Sequence, residues 1–304
     1  MSKQATASLL LMLGGALWGL LWIPLRVMED HGVEGAWPAV FGYLFPALVA
    51  LPMTLIGWRH VVRSWLSLLG VLVFCGTAFA FYGIAIVMTE VNRAILLFYL
   101  TPLWGTLIGL VFLGEKLTVR RSLALLIGFV GLLVVLDIGL KLPWPRNIGD
   151  WMAVLAGLSW AVGTTVIYRA EKLRIPDQLT AFFVGAVIVC LLSWALFPSK
   201  LGSVPTMESL QASIPMLIIL TIGMPIVLVL TIYPAGMLPP GRVGILLMTE
   251  VLFGLASAIL VLGEVLSLRE GLGAMMILSA AVLEVSAPSK PSTSPPPGSG
   301  LNQG

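Results

Sequence analysis

Ionisable side chains inside long apolar runs are the residues of this sequence that could do chemistry. Glu250 is the foremost. It follows Arg242 by eight residues, about 12 Å along a helix, which places it near the middle of a hydrocarbon core ~30 Å thick. A carboxyl at that depth costs several kcal/mol unless it is used or partnered. It can bind an amine, carry a coupling proton, or join two helices as a hydrogen-bond donor. Arg93 and Arg242 open two apolar runs at matching places and suit either a gate, an anchor for a carboxylate, or a headgroup contact. Glu90 stands three residues before Arg93, which suits a local ion pair at the outer mouth or mere solvation. Arg26 closes the first apolar run with the same two readings as the other arginines. Trp18, Trp160, Tyr82, Tyr99 and Tyr233 can stack on aromatic or cationic molecules, or simply pack. Glu115 and Glu264 follow glycine and fit helix-end caps or partners of nearby basic residues. Glu284 fits helix packing or a dimer surface.

Catalysis finds little support in these residue types. His31 and His60 are the only histidines, and Cys75 and Cys190 the only cysteines. A zinc or di-metal site needs clustered His, Cys or carboxylate ligands, and neither a CxxC nor a nucleophile–base pair is apparent by spacing. No cofactor is implied. Both thiols lie in apolar runs, as buried unpaired cysteines do.

The elements that must position these groups are membrane helices. Charged residues make up 10% of the 304 residues and hydrophobic ones 59%, with a mean hydropathy of +1.03; soluble domains carry about 25% charge. Water could not cover so apolar a surface, whereas a lipid bilayer can. The net charge of +3 belongs to loops and implies no nucleic-acid partner. Candidate spans run 8–28, 37–57, 66–88, 93–113, 120–138, 149–168, 178–197, 214–236, 242–262 and 270–286. They are continuously apolar, as helices are and porin strands are not. Residues 9–27 are too long for a signal-peptide core and lack its cleavage pattern. Pro215, Pro225 and Pro234 predict a bent or broken eighth span. The Pro/Ser/Gly tail 288–304 is expected to be disordered.

Basic residues set the orientation. With the N-terminus inside, the inner side holds Lys3, Arg59, Arg63, Lys116, Arg120, Arg121, Arg169, Lys172, Arg174, Arg242 and Lys290. The outer side holds Arg26, Arg93, Lys141, Arg146, Lys200 and Arg269. Both termini are therefore expected in the cytoplasm, in an inner or plasma membrane.

A repeat ties the spans together. Residues 93–120 (RAILLFYLTPLWGTLIGLVFLGEKLTVR) and 242–269 (RVGILLMTEVLFGLASAILVLGEVLSLR) align at a constant offset of 149. The identities include Arg93/Arg242, Gly105/Gly254, Arg120/Arg269 and the Leu-Gly-Glu runs ending at Glu115 and Glu264. Gly15-x-x-Trp18 and Gly157-x-x-Trp160 match at an offset of 142. The two MTEV tetrapeptides, at 88–91 and 248–251, are out of register and read as coincidence. Five spans per half is an odd number, so the expected fold is all-α, with ten transmembrane helices as two five-helix inverted repeats, 1–138 and 139–287. Inverted repeats characterise secondary transporters, which expose a midplane site to each side in turn.

The segments LTPLWGTLIGLVFLGEKLT and LLMTEVLFGLASAILVLGEVLS, closing spans four and nine, resemble the EamA-type drug/metabolite transporter superfamily over residues 8–286. The family often has Glu-Pro where this chain has Glu250-Val251, while the first half keeps Thr101-Pro102. The resemblance implies a ten-helix permease with a central cavity that exports amino acids, other metabolites or drugs. The depth of Glu250 makes protons one coupling choice, and five plus five spans suit a monomer or a homodimer. An integral membrane enzyme and a non-transporting receptor or scaffold are the rival classes; the first lacks a catalytic cluster and the second has no need of inverted halves.

Overall fold

The computed structural model describes residues 3–137, 144–170, 173–263 and 265–286; Glu264, Lys141, Lys172, Lys290 and the tail lie outside them. Ten helical stretches follow one another among the described residues, without a strand. They are α1 (Lys3–Asp30), α2 (Trp37–Ile56), α3 (Trp65–Met88), α4 (Val91–Phe112), α5 (Val119–Val135), α6 (Ile148–Arg169), α7 (Ile175–Leu196), α8 (Ile214–Ala235), α9 (Pro240–Leu262) and α10 (Leu268–Val285). Short helices Trp58–Arg63 and Met207–Ala212 lie in two of the connections. Eight of the ten are long and apolar enough to cross a bilayer. The others are α5, of 17 residues, and α10, which carries Arg269, Glu270 and Glu284 in 18. The chain is thus a multi-pass membrane protein.

The Leu-Gly-Glu repeat has a backbone cause. Gly114 and Gly263 both adopt a left-handed conformation, with φ of 65° and 70°, where any other residue would be strained. Each turns the chain out of an apolar helix, as a C-terminal glycine does. Across the next connection, Thr118 caps α5 by accepting from Arg121 N at 3.3 Å. Ser267 and Glu270 form a capping box at the start of α10.

Packing follows the halves. Each of α2, α4 and α5 packs against its counterpart five places on: α7, α9 and α10 respectively. The other extensive contacts come in matched sets: α1 on α8 and α9, α6 on α3 and α4, α3 on α7, and α8 on α2. Exchanging the two halves maps these onto one another, while lighter contacts such as α6 on α9 and α9 on α10 have no equal counterpart. Small residues allow the closest approach. A Cβ on Gly105 would lie 2.8 Å from the Pro240 carbonyl carbon, and one on Gly244 would lie 2.8 Å from Pro102 Cα.

Three of the stretches are interrupted. α1 divides into Lys3–Trp18 and Trp22–Asp30, α4 into Val91–Phe98 and Thr101–Phe112, and α9 into Pro240–Leu247 and Thr249–Leu262. Pro102 accounts for the break in α4, since it lacks an N–H and restricts the residue before it. α9 breaks without proline. There Thr249 Oγ1 donates to the Leu246 carbonyl at 2.8 Å, as Thr101 Oγ1 does to Phe98 at 2.6 Å. A hydroxyl taking a backbone carbonyl competes with the helical ladder. The expected break in the eighth span is corrected: α8 runs unbroken from Ile214 to Ala235. Pro215 falls in its first turn, where the missing N–H has no helical partner to lose.

Candidate functional site

The two central breaks meet. Tyr99, in the break of α4, donates its hydroxyl to Glu250 Oε2 at 2.8 Å and lies 3.3 Å from the Leu247 carbonyl in the break of α9. Glycines of α1 let α9 come close here. A Cβ on Gly15 would lie 2.6 Å from Thr249 Oγ1, and one on Gly19 would lie 2.7 Å from Gly254 N. The second repeat match, Gly15/Gly157, thereby acquires a role. A Cβ on Gly157 would lie 2.9 Å from Thr101 Oγ1, so each glycine sits against the threonine that interrupts its neighbour.

Glu250 and Tyr99 face a cavity of about 650 Å³, within the range of small-molecule sites. Trp18, Trp22, Tyr43, Phe79 and Tyr82 form its walls. Trp18 stacks on Phe79 with centroids 4.5 Å apart, and Tyr82 stacks on Phe98 at 4.3 Å. Both indole N–H groups are fixed from other helices: Trp18 Nε1 donates to Thr231 Oγ1 at 2.9 Å and Trp22 Nε1 to Ser257 Oγ at 2.8 Å. Asn92, Asp137, Arg269 and Glu270 line the polar end of the cavity. There Arg269 pairs with Asp137.

The remaining sequence candidates lie elsewhere. Trp160 is 1% exposed and stands edge-on behind Phe79 at 5.1 Å, so it supports the wall without lining the cavity. Arg93 donates to Asp150 Oδ2 at 2.5 Å and to the Trp144 carbonyl at 3.0 Å. Thr89 Oγ1 and Arg146 N complete the shell of that aspartate at 2.7 and 2.9 Å. Of the two readings of Glu90, the ion pair with Arg93 does not form: the carboxylate partner is Asp150, because α6 brings it into the bundle, and Glu90 stays exposed. Arg242 donates to Ser8 Oγ at 3.1 Å and to the Val285 carbonyl at 3.2 Å. Arg26 pairs with Asp30 at 3.7 Å across one exposed helical turn. None of Arg26, Glu90, Arg93, Arg242 and Trp160 lines the cavity. Tyr233 is half exposed and also outside it.

The opposite end of the bundle is closed by charged groups. Glu115 Oε2 accepts from Arg121 at 2.6 Å in a largely buried pair. Arg121 Nη2 lies against Gly241, at the start of α9. Arg120 donates to the Leu283 carbonyl at 2.9 Å and to Ser286 Oγ, and Glu284 is buried beside them. The tie from Arg120 to Ser286 is the repeat counterpart of Arg269 to Asp137. Sequence reasoning missed Asn92, Asp137, Trp22 and Tyr43 as cavity residues. The polar end-of-span character of Asp137 and Arg269 was the one available signal for their pairing.

A helical membrane bundle enclosing a drug-sized aromatic cavity with a single deep carboxylate has the architecture of a small-molecule transporter. The EamA-like transporter family model matches residues 5–137 and again 147–285, and the chain belongs to that family. It is 33% identical over 159 residues to an uncharacterized transporter of Archaeoglobus fulgidus, covering 52% of this chain and 56% of that one. It is 26% identical over 223 residues to a riboflavin transporter of Rhizobium johnstonii, covering 69% and 68%. With an S-adenosylmethionine uptake transporter of Rickettsia bellii it shares 25% identity over 161 residues, 51% and 52% of the two chains. The matches thus span about half to two thirds of these relatives. A protein crystal structure superposes with a TM-score of 0.71 over 93% of this chain and 98% of the other at 18% identity, a likeness of fold alone.

Proposed function

We propose that the protein is a secondary transporter that exports a small organic metabolite across the inner or plasma membrane by alternating access. The observation that carries this reading is the cavity where the breaks of α4 and α9 meet, polar at one end, with the Glu115–Arg121 pair at the opposite end of the bundle and outside its lining. The matched main contacts of the halves support two inverted five-helix repeats, 1–138 and 139–287, with α5 and α10 as the fifth and tenth spans. Both termini then lie in the cytoplasm and the polar end of the cavity faces out. Glu250 takes the substrate or a coupling proton, and no covalent chemistry is involved. The riboflavin and S-adenosylmethionine relatives make ring-bearing metabolites a reasonable range for this chain too.

The test compares medium and cell extract by untargeted mass spectrometry for cells carrying wild type, Glu250→Gln or empty vector. A metabolite enriched in the medium with wild type alone is the expected result. Export by Glu250→Gln at the wild-type rate and pH dependence would remove Glu250 from the pathway and end the proton-coupling idea. No difference among the three, followed by no difference in uptake, would end the transport reading.

A further inference from the structure

Resting on that transport reading and narrowing its substrate, we propose that the cavity selects aromatic monocations, with a flat ring between the Trp18 and Tyr82 walls and an ammonium or similar onium group against Glu250. Charge bookkeeping within the cavity argues for this. The ionisable groups along its wall are Glu250, Asp137, Arg269 and Glu270, besides tyrosines. Asp137 and Arg269 pair with each other, and the Glu270 carboxylate keeps its charge but sits at the polar end, with its Oε2 held by the Ser267 N–H at 2.9 Å and hydroxyl at 2.6 Å. Glu250 is the carboxylate that stands among the aromatic walls. Its single hydrogen bond among the described residues is the one from Tyr99 to Oε2, so the carboxylate has no basic partner and an oxygen to spare.

The groups that would hold a substrate carboxylate point elsewhere. Arg93 is committed to Asp150 and Trp144, and Arg242 to Ser8 and Val285, both outside the cavity. An anion or a zwitterionic amino acid would bring its own carboxylate among aromatic faces and toward Glu250, where ring quadrupoles and charge both repel it. The same faces attract a cation. An aromatic cavity whose uncompensated groups are both carboxylates, Glu250 among the rings and Glu270 at the polar end, therefore discriminates by charge first and by ring second.

The test uses four ligands that share an indole: tryptamine, tryptophol, indole-3-acetate and L-tryptophan. Equilibrium dialysis against the full chain in nanodiscs should show tryptamine binding at least tenfold tighter than the other three. Glu250→Gln should abolish that preference, while Glu250→Asp, which keeps the charge and reports on folding, should retain it. Equal or tighter binding of indole-3-acetate or L-tryptophan would overturn the proposal. So would a preference that survives Glu250→Gln, or binding of none of the four by folded protein. Counterflow of labelled tryptamine in proteoliposomes separates the two readings. Charge-selective binding without flux sinks transport and leaves the site; tryptamine flux without charge selectivity in binding sinks the site and leaves transport.

Discussion

Arg93 and Arg242 hold equivalent places in the two halves but lean on different partners, and the difference has measurable weight. Arg93 meets a carboxylate that is itself fully buried, whereas Arg242 meets a serine hydroxyl and a carbonyl. Removing one member of a buried pair leaves an uncompensated charge and costs about 3–5 kcal/mol, whereas losing one ordinary hydrogen bond costs about 1 kcal/mol. Asp150→Ala is therefore expected to lower the melting temperature of the purified protein well beyond Ser8→Ala, and Glu90→Ala to leave it unchanged; scanning fluorimetry in detergent reads all three. At this scale the sequence told half the story. The depth of Glu250 followed from its distance to Arg242, because rise per residue is fixed. Its partner Tyr99, 151 residues away, could not follow from any spacing, since it depends on how two halves interlock. Trp18 and Trp160 were indistinguishable by pattern. Only Trp18 reaches the cavity, because a space open at one end breaks the symmetry that the sequence keeps.

Helix interruption is the device by which the elements bring chemistry to the centre. At a break, carbonyls and side chains turn away from the ladder, and the Tyr99–Glu250–Leu247 cluster is built from two such places. Since α9 is already interrupted at Met248, proline at position 251 would remove only the N–H that now bonds Met248 O at 3.1 Å. Val251→Pro is thus expected to fold with a loss near 1 kcal/mol, as its counterpart Pro102 does in α4. Ile259→Pro, inside the regular second segment, should cost ~3 kcal/mol or more and fail to yield folded protein. Comparable melting of the two variants would contradict this account. Proline was a sound guide in α4 and a poor one elsewhere. The prolines of α8 sit in an unbroken helix, and the break of α9 rests on a threonine hydroxyl, whose choice between solvent, neighbour and backbone is set only by packing.

Across the whole molecule the halves mirror each other in packing but not in charge, and the exception is at the ends. The Glu115–Arg121 pair corresponds, at the offset of 149, to Glu264 and Glu270, two acids in sequence where the first half has an acid and a base. A cysteine replacing Leu262 beside the polar end should react with an impermeant maleimide from the outer face, which also checks the proposed orientation. Glu115→Gln should lower the ratio of molecules open at the polar end to molecules closed there about fivefold, the shift expected for ~1 kcal/mol, and so slow that reaction; an unchanged rate would remove Glu115 from the closing of its end. The all-helical membrane class and the sequence repeat with its Leu-Gly-Glu ends were legible from the chain, because they rest on hydropathy and on a glycine conformation. The cavity's tilt toward one end was not, because it follows from the pairing of groups that the two halves do not share.

That unlike pair of ends has a consequence for how the protein cycles. Arg121 bears on the first turn of α9, where the positive end of a helix dipole repels it, and Glu115 is what makes the contact favourable. In the proposed alternating-access cycle the two ends are held by unlike ties, the largely buried Glu115–Arg121 pair at one and the more exposed Arg269–Asp137 pair at the other. The two half-strokes of that cycle then differ in height even with no gradient across the membrane, and the slower is the one that must part the buried pair.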